Sequence, residues 1–75
     1  MRPELLVSRV FGVPPQSVDD ATSNAALPAW DSLAHVTLVL EIESTYGVSV
    51  SVEDALRMTS VGAIKRVLCE RGVRW

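Results

Sequence analysis

The 75-residue sequence has few of the residues on which metal, nucleic-acid and membrane functions depend. It contains one cysteine and one histidine, so neither an internal disulfide bond nor a zinc site built from several of these residues is expected. No lysine or arginine lies between Val10 and Leu56, which argues against binding to phosphate-rich surfaces. No apolar run is long enough to cross a membrane, and no signal peptide is evident. We therefore expect a cytoplasmic protein with no metal, no nucleic-acid partner and no membrane partner.

The small size also argues against catalysis. A chain of this length forms one domain, residues 1–75, and buries only about 60% of the surface of its unfolded chain. Such a core leaves little room for a substrate cavity, and the sequence has neither a glycine-rich phosphate loop nor a paired-carboxylate cleft. Ser32 and His35 are close enough to be a nucleophilic pair, but no third group is evident to orient the imidazole. The sequence therefore predicts a protein that is not an enzyme.

Helical patterns account for most of the chain. A long proline-containing loop, Val13–Trp30, interrupts them, and the short alternating segment Val48–Val52 is interpreted as an extended connector. Apolar spacing and end signals predict helices at about residues 3–11, 31–46, 53–57 and 60–71. The predicted fold class is all-α: a small four-helix bundle, with three main helices, a short third helix and a long loop between helices one and two.

The second predicted helix has apolar residues on two sides. At 100° per residue, one face forms the predicted core stripe, which consists of Val36, Val39, Ile42 and Tyr46. The opposite side has Leu33 and Leu40 among polar residues. These leucines are either scattered surface residues, which are common, or a docking stripe with a polar rim. The acidic middle of the chain would attract a partner with a basic patch.

Ser32 stands where the second helix begins. Asp31 is a good N-cap, because its carboxylate accepts hydrogen bonds from the free N–H groups of the first turn. The positive end of the helix dipole accommodates an anion, so a phosphate attached to Ser32 would be tolerated. Spacing alone favours the simpler interpretation that Asp31 and Ser32 only start a helix, since both residue types are common there in any protein.

Three segments of the chain together resemble one protein family. WDSLAHVTLVLEIESTYGVSV, which begins at Trp30, looks like the second-helix signature of acyl and peptidyl carrier proteins, small four-helix carriers of fatty-acid, polyketide and nonribosomal peptide assembly. VSVSVEDALRMTSVGAIKRVL is similar to the family's third and fourth helices, and VFGVPPQSVDDATS to its first-helix end and long loop. The similarity covers nearly the whole chain in order and spacing.

The resemblance implies a specific chemistry. In this family a phosphopantetheinyl transferase attaches a 4′-phosphopantetheine arm from coenzyme A to a serine, which corresponds to Ser32, and Asp31 and Leu33 would form the helix cap and the transferase recognition signal. The thiol of the arm then carries acyl or aminoacyl groups as thioesters to loading, condensing or tailoring enzymes with basic docking patches. The residues that the resemblance assigns to partner docking are Trp30, Leu40, Glu41, Val52, Glu53 and Met58.

Two features depart from the family pattern. Trp30 follows Ala29 where many carriers have glycine with a small or aliphatic residue, so we expect Trp30 to cover the helix start or to shape the surface that the transferase contacts. The second helix has only Glu41 and Glu43 as acids, fewer than bacterial fatty-acid carriers have. This favours a discrete, monomeric carrier of a specialised pathway, such as polyketide or nonribosomal peptide biosynthesis. The alternative is a helical protein-interaction module with a carrier-like fold and an unmodified Ser32.

Overall fold

The computed structural model describes all 75 residues, and their regular structure is helical. Its four α-helices are α1 (Pro3–Phe11), α2 (Ser32–Tyr46), α3 (Val52–Arg57) and α4 (Val61–Glu70), and a short 3₁₀ turn lies at Pro15–Ser17. The only β-type pairing is an isolated bridge between Ser23 and Ser60. None of the helices combines the length and the apolar character that a membrane crossing requires. The prediction of a small all-α bundle is confirmed.

Local capping determines where the helices begin and end. The Asp31 carboxylate accepts a hydrogen bond from the Ala34 N–H at 2.8 Å, so α2 starts one residue later than predicted, with Asp31 as its extended N-cap. Ser51 and Ser60 cap α3 and α4 in the same way. At the other end of α2, Gly47 has a φ of 65°, and its N–H bonds to the Glu43 carbonyl at 2.9 Å. Glycine adopts this left-handed conformation without a steric penalty.

Helix α4 contributes more buried residues to the core than any other helix, and the other helices and the loops supply the rest. Its buried apolar members are Leu6, Val7, Val18, Trp30, Leu38, Ile42, Met58, Val61, Ile64, Val67 and Leu68. The core stripe predicted for α2 is wrong in part, because Val36 is 56% exposed while Leu38 is fully buried beside Ile42. The apolar residues of α2 lie on all sides of the helix, so its sequence pattern alone does not show which side is buried. Packing against α1 and the rest of the core decides this.

The long loop between α1 and α2 is tied to the start of α4. The Asn24 N–H bonds to the Thr59 carbonyl, and the Val61 N–H bonds to the Thr22 carbonyl at 2.9 Å. The Gly62 N–H bonds to the Asp20 carbonyl at 3.0 Å, where a β-carbon on Gly62 would lie only 3.2 Å from that same oxygen. These bonds hold the loop in one course and bring its last residue, Trp30, to the start of α2.

An ionic cluster joins α1, the loop and α4. Lys65 on α4 donates hydrogen bonds to Glu4 at 2.8 Å and to Asp20 at 2.7 Å. Partial burial is the largest single influence on Glu4 and raises its pKa, but the hydrogen bond from Lys65, a backbone hydrogen bond and the charges of Lys65 and Arg2 together lower the pKa below its ordinary value. Hydrogen bonds to Asp20 and Glu4 raise the pKa of Lys65. The cluster therefore favours the charged forms of both groups.

Candidate functional site

Ser32 is the first residue of α2, and its side chain is exposed. Its hydroxyl makes no hydrogen bond within the chain, and neither do the backbone N–H groups of Ser32 and Leu33. The next N–H group, that of Ala34, donates to the Asp31 carboxylate, and the N–H of His35 donates to the backbone carbonyl of Asp31 at 2.9 Å. The start of α2 therefore presents one free hydroxyl next to two free N–H donors at the positive end of a 15-residue helix.

A groove of about 300 Å³ begins at Ser32 and lies between α2, the long loop and the region around α3. Residues of the loop and of α2 line it, together with Leu56 of α3 and Thr59, which follows α3. The complete lining is Asn24, Trp30, Asp31, Ser32, His35, Leu56 and Thr59. The free hydroxyl thus has open space next to it with mixed polar and apolar walls.

Trp30 lies beneath the start of α2 rather than on the surface. Its side chain is 3% exposed, its ring stacks on Phe11 with centroids 5.1 Å apart, and its indole N–H donates to His35 Nδ1 at 2.9 Å. The prediction that Trp30 contacts partner enzymes is therefore wrong, because its indole is buried in the core. Met58 was also expected to contact partners, and it is fully buried where the chain turns from α3 into α4.

His35 has a hydrogen-bond partner on each ring nitrogen. Trp30 Nε1 donates to Nδ1, and Nε2 lies 2.7 Å from the Ala55 carbonyl oxygen on α3. An indole N–H only donates and a carbonyl only accepts, so these partners require a neutral ring that carries its proton on Nε2. Neither nitrogen is free to act as a base for Ser32, which argues against a serine hydrolase. The sequence gave no signal for the contact between His35 and Ala55, which are 20 residues apart.

Comparison with known families identifies the kind of site. The family model for the phosphopantetheine attachment site matches residues 5–68, which include all of α2, α3 and the groove lining. The chain belongs to this family. Members of the family carry 4′-phosphopantetheine covalently on a serine. A search of curated proteins found no match to this chain.

The start of α2 fits the group that the phosphopantetheine family carries. A phosphodiester on the Ser32 hydroxyl would lie beside the free N–H groups of Ser32 and Leu33, where a helix end favours an anion. The site has no lysine, arginine or metal-binding cluster, so the helix end supplies the favourable field. The open groove leaves room for an arm to leave the helix end without displacing core residues.

An exposed apolar surface extends from this carrier-type site along α2 and α3. We call it the docking surface after the role proposed for it below, and its members are Leu33 (79% exposed), Val36, Leu40 (59% exposed), Val52 and Leu56. Of the predicted docking residues, Leu40, Glu41, Val52 and Glu53 are exposed. Sequence reasoning missed Val36 and Leu56. Val36 falls on the predicted core face of α2. Helix α3 is too short to show an apolar periodicity that would indicate which side of it Leu56 lies on.

Most acidic residues in the middle of the chain form hydrogen bonds or ion pairs with other residues of the chain. Glu43 accepts the Val50 N–H, and Asp54, which is buried, pairs with Arg57 and Arg71. Asp19, Asp20 and Asp31 likewise accept hydrogen bonds from the chain itself. Glu41 and Glu53 have no such partner. Their carboxylates are therefore the free negative charges beside the docking surface.

Proposed function

We propose that Ser32 is the attachment residue of this phosphopantetheine-binding chain, and that the protein carries acyl or aminoacyl intermediates as thioesters on the arm. Partner biosynthetic enzymes would load, extend or modify the cargo, and the chain itself would perform no chemistry. The observation that carries the proposal is the free, exposed hydroxyl of Ser32 at the N-terminus of α2.

The other serines are less suited to this role. Four hydroxyls already take part in hydrogen bonds, those of Ser8, Ser17, Ser51 and Ser60. Ser44 lies in the last turn of α2 and Ser49 lies beyond the helix end, where the negative end of the helix dipole disfavours a phosphodiester. Ser23 is partly buried in the bridge to Ser60. Ser32 combines a free hydroxyl, exposure and a favourable helix end.

The docking surface supports a role in delivery. Apolar side chains exposed side by side mark protein contact sites more often than isolated ones do. The free carboxylates of Glu41 and Glu53 lie on the same helices, so the partner we propose is an enzyme with a basic patch around an apolar centre. A carrier must leave one enzyme to reach the next, so these contacts are expected to be small and short-lived. The low number of acids on α2 fits a carrier of a specialised pathway.

Modification by a transferase provides the direct test. Coexpression with a promiscuous phosphopantetheinyl transferase, followed by intact mass measurement, should show the gain of one phosphopantetheinyl group. The Ser32→Ala protein should show no gain. Ser44→Ala is the matched control, because it removes another exposed hydroxyl from the same helix and should still be modified.

Two results would contradict the proposal. If several transferases leave the wild-type mass unchanged, the chain is a helical interaction module with an unmodified serine. If Ser32→Ala still gains mass, another residue carries the arm.

A further inference from the structure

Helix α3 is attached to its two neighbours in different ways. Ion pairs fasten it to α4, since Asp54 pairs with Arg71 and Arg57 pairs with Glu70 at 2.7 Å. One hydrogen bond joins it to α2, from His35 to the Ala55 carbonyl at 2.7 Å. The α2 side of α3 faces the groove that begins at Ser32. His35 is therefore the side chain that hydrogen-bonds α2 directly to α3 beside this groove.

The carbonyl that His35 contacts lies near the C-terminal end of α3 and can accept a second hydrogen bond. Helix α3 has only six residues, so most of its carbonyls have no intrahelical donor. The Ala55 carbonyl accepts from the Met58 N–H at a long 3.2 Å and from His35 at 2.7 Å. The imidazole is oriented for this bond from its other edge, where Trp30 donates to Nδ1. Trp30 is itself fixed by stacking on Phe11 in the core.

We propose that His35 is a positioning residue that holds α3 across the groove from Ser32 through its Nε2–H bond to the Ala55 carbonyl. The inference rests on the proposed function, because it concerns the groove beside the proposed attachment residue. Leu56, the neighbour of Ala55, lines the far side of this groove, and Val52 and Glu53 lie on the same helix. His35 thereby helps to set the width of the groove and the placement of Val52 and Leu56, the part of the docking surface on α3, relative to Ser32.

The protonation form of His35 in the wild-type chain is the first test, and it needs no transferase. Two-bond ¹H–¹⁵N correlation spectra of the imidazole should show a neutral ring with its proton on Nε2, and the Trp30 indole N–H should be protected from exchange. A ring that carries its proton on Nδ1 would overturn the proposal, because Nε2 would then have no hydrogen to donate to Ala55.

Two conservative variants separate the two hydrogen bonds of His35. The amide nitrogen of His35→Gln replaces Nε2 and keeps a donor for Ala55, whereas the oxygen of His35→Asn replaces Nδ1 and keeps only the acceptor for Trp30. Loss of one hydrogen bond predicts about fivefold faster amide exchange in α3 for His35→Asn. Exchange in His35→Gln should stay within about twofold of the wild type.

The amides of α4 distinguish positioning from general destabilisation. If His35→Asn accelerates exchange in α4 as much as in α3, the residue serves only global stability and the proposal fails. It also fails if Gln and Asn give equal exchange in α3. These measurements are made on the unmodified chain, so they stand even if Ser32 is never modified.

Transferase kinetics then connect His35 to the proposed function. His35→Asn should raise the KM for the carrier about threefold and leave kcat unchanged, because the displaced α3 weakens binding while Ser32 is untouched. His35→Gln should restore most of the wild-type KM. An unchanged KM in His35→Asn, together with faster exchange in α3, would overturn the role of His35 in presenting the site.

Discussion

Helices α2 and α4 both contain many apolar residues, and they use them in opposite ways. Helix α4 buries four side chains of its ten residues, Val61, Ile64, Val67 and Leu68. Helix α2 has 15 residues and buries only Leu38 and Ile42, while leucines and a valine face solvent. The apolar residues of α4 stabilise the bundle, whereas three large apolar residues of α2, Leu33, Val36 and Leu40, are left exposed.

Polar residues repeat this division. On α4, Lys65 and Glu70 are paired with residues from other elements. On the outer side of α2, Thr37, Glu41 and Ser44 are exposed and have no side-chain partner. The outer side of α2 therefore makes few contacts on which the stability of the fold depends. The contrast supports the proposal that α2, which begins at Ser32, is the contact helix, whereas α4 mainly stabilises the fold.

The strongest test of this contrast applies one substitution to both helices. Leu68→Ala on α4 should reduce the free energy of unfolding by about 3 kcal/mol, because it leaves a cavity in the core. Leu40→Ala on α2 should change it by less than about 0.5 kcal/mol, because Leu40 is exposed. Urea unfolding followed by circular dichroism measures both values. Equal losses would show that α2 is as structural as α4.

The contact role of α2 predicts a loss of transfer without a loss of stability. Leu40→Arg or Glu41→Lys should lower the kcat/KM of a partner enzyme about tenfold, which corresponds to about 1.4 kcal/mol, by placing a positive charge against a basic patch. The melting temperature should stay the same. Gln16→Arg, an exposed position on the 3₁₀ turn, is the control for added charge. Wild-type transfer in both docking variants would remove Leu40 and Glu41 from the docking surface.

The structural role of α4 predicts a modest, pH-dependent effect at Lys65. The lowered pKa of Glu4 means that its contribution to folding is present above its ordinary pKa of 4.5 and is lost as the pH falls through the folded-state value. Lys65→Met should cost about 1 kcal/mol at neutral pH.

On acidification, the free energy of unfolding of Lys65→Met should fall less than that of the wild type. Without Lys65, burial of the Glu4 carboxyl group favours its neutral form. Thermal unfolding from pH 7 to about pH 3 measures the difference from the wild type, and changes in other carboxylates cancel in the comparison. Lys65→Arg keeps the charge and should resemble the wild type. Parallel pH profiles for the wild type and Lys65→Met would rule out the cluster as the source of this dependence.

Much of the secondary structure could be predicted because its signals are local. Asp31 and Ser60 bond to N–H groups three residues along the chain, and Gly47 ends α2 through its own φ angle. The burial of Trp30 could not be predicted in this way, since it depends on Phe11 from another helix. That Glu41 and Glu53 have no partner could not be predicted either, because it depends on which of the acidic residues form hydrogen bonds or ion pairs in the folded chain.

The sequence by itself determined that the chain is helical, where each helix begins to within one residue, and that Ser32 stands at the N-terminus of the longest one. Only the tertiary structure decided which side of α2 is buried, that Trp30 and Met58 belong to the core, and that His35 joins α2 to α3. The physical reason is the range of the interactions. Caps and turns act over three or four residues, whereas burial and the His35 contact depend on residues that folding brings together from distant parts of the chain.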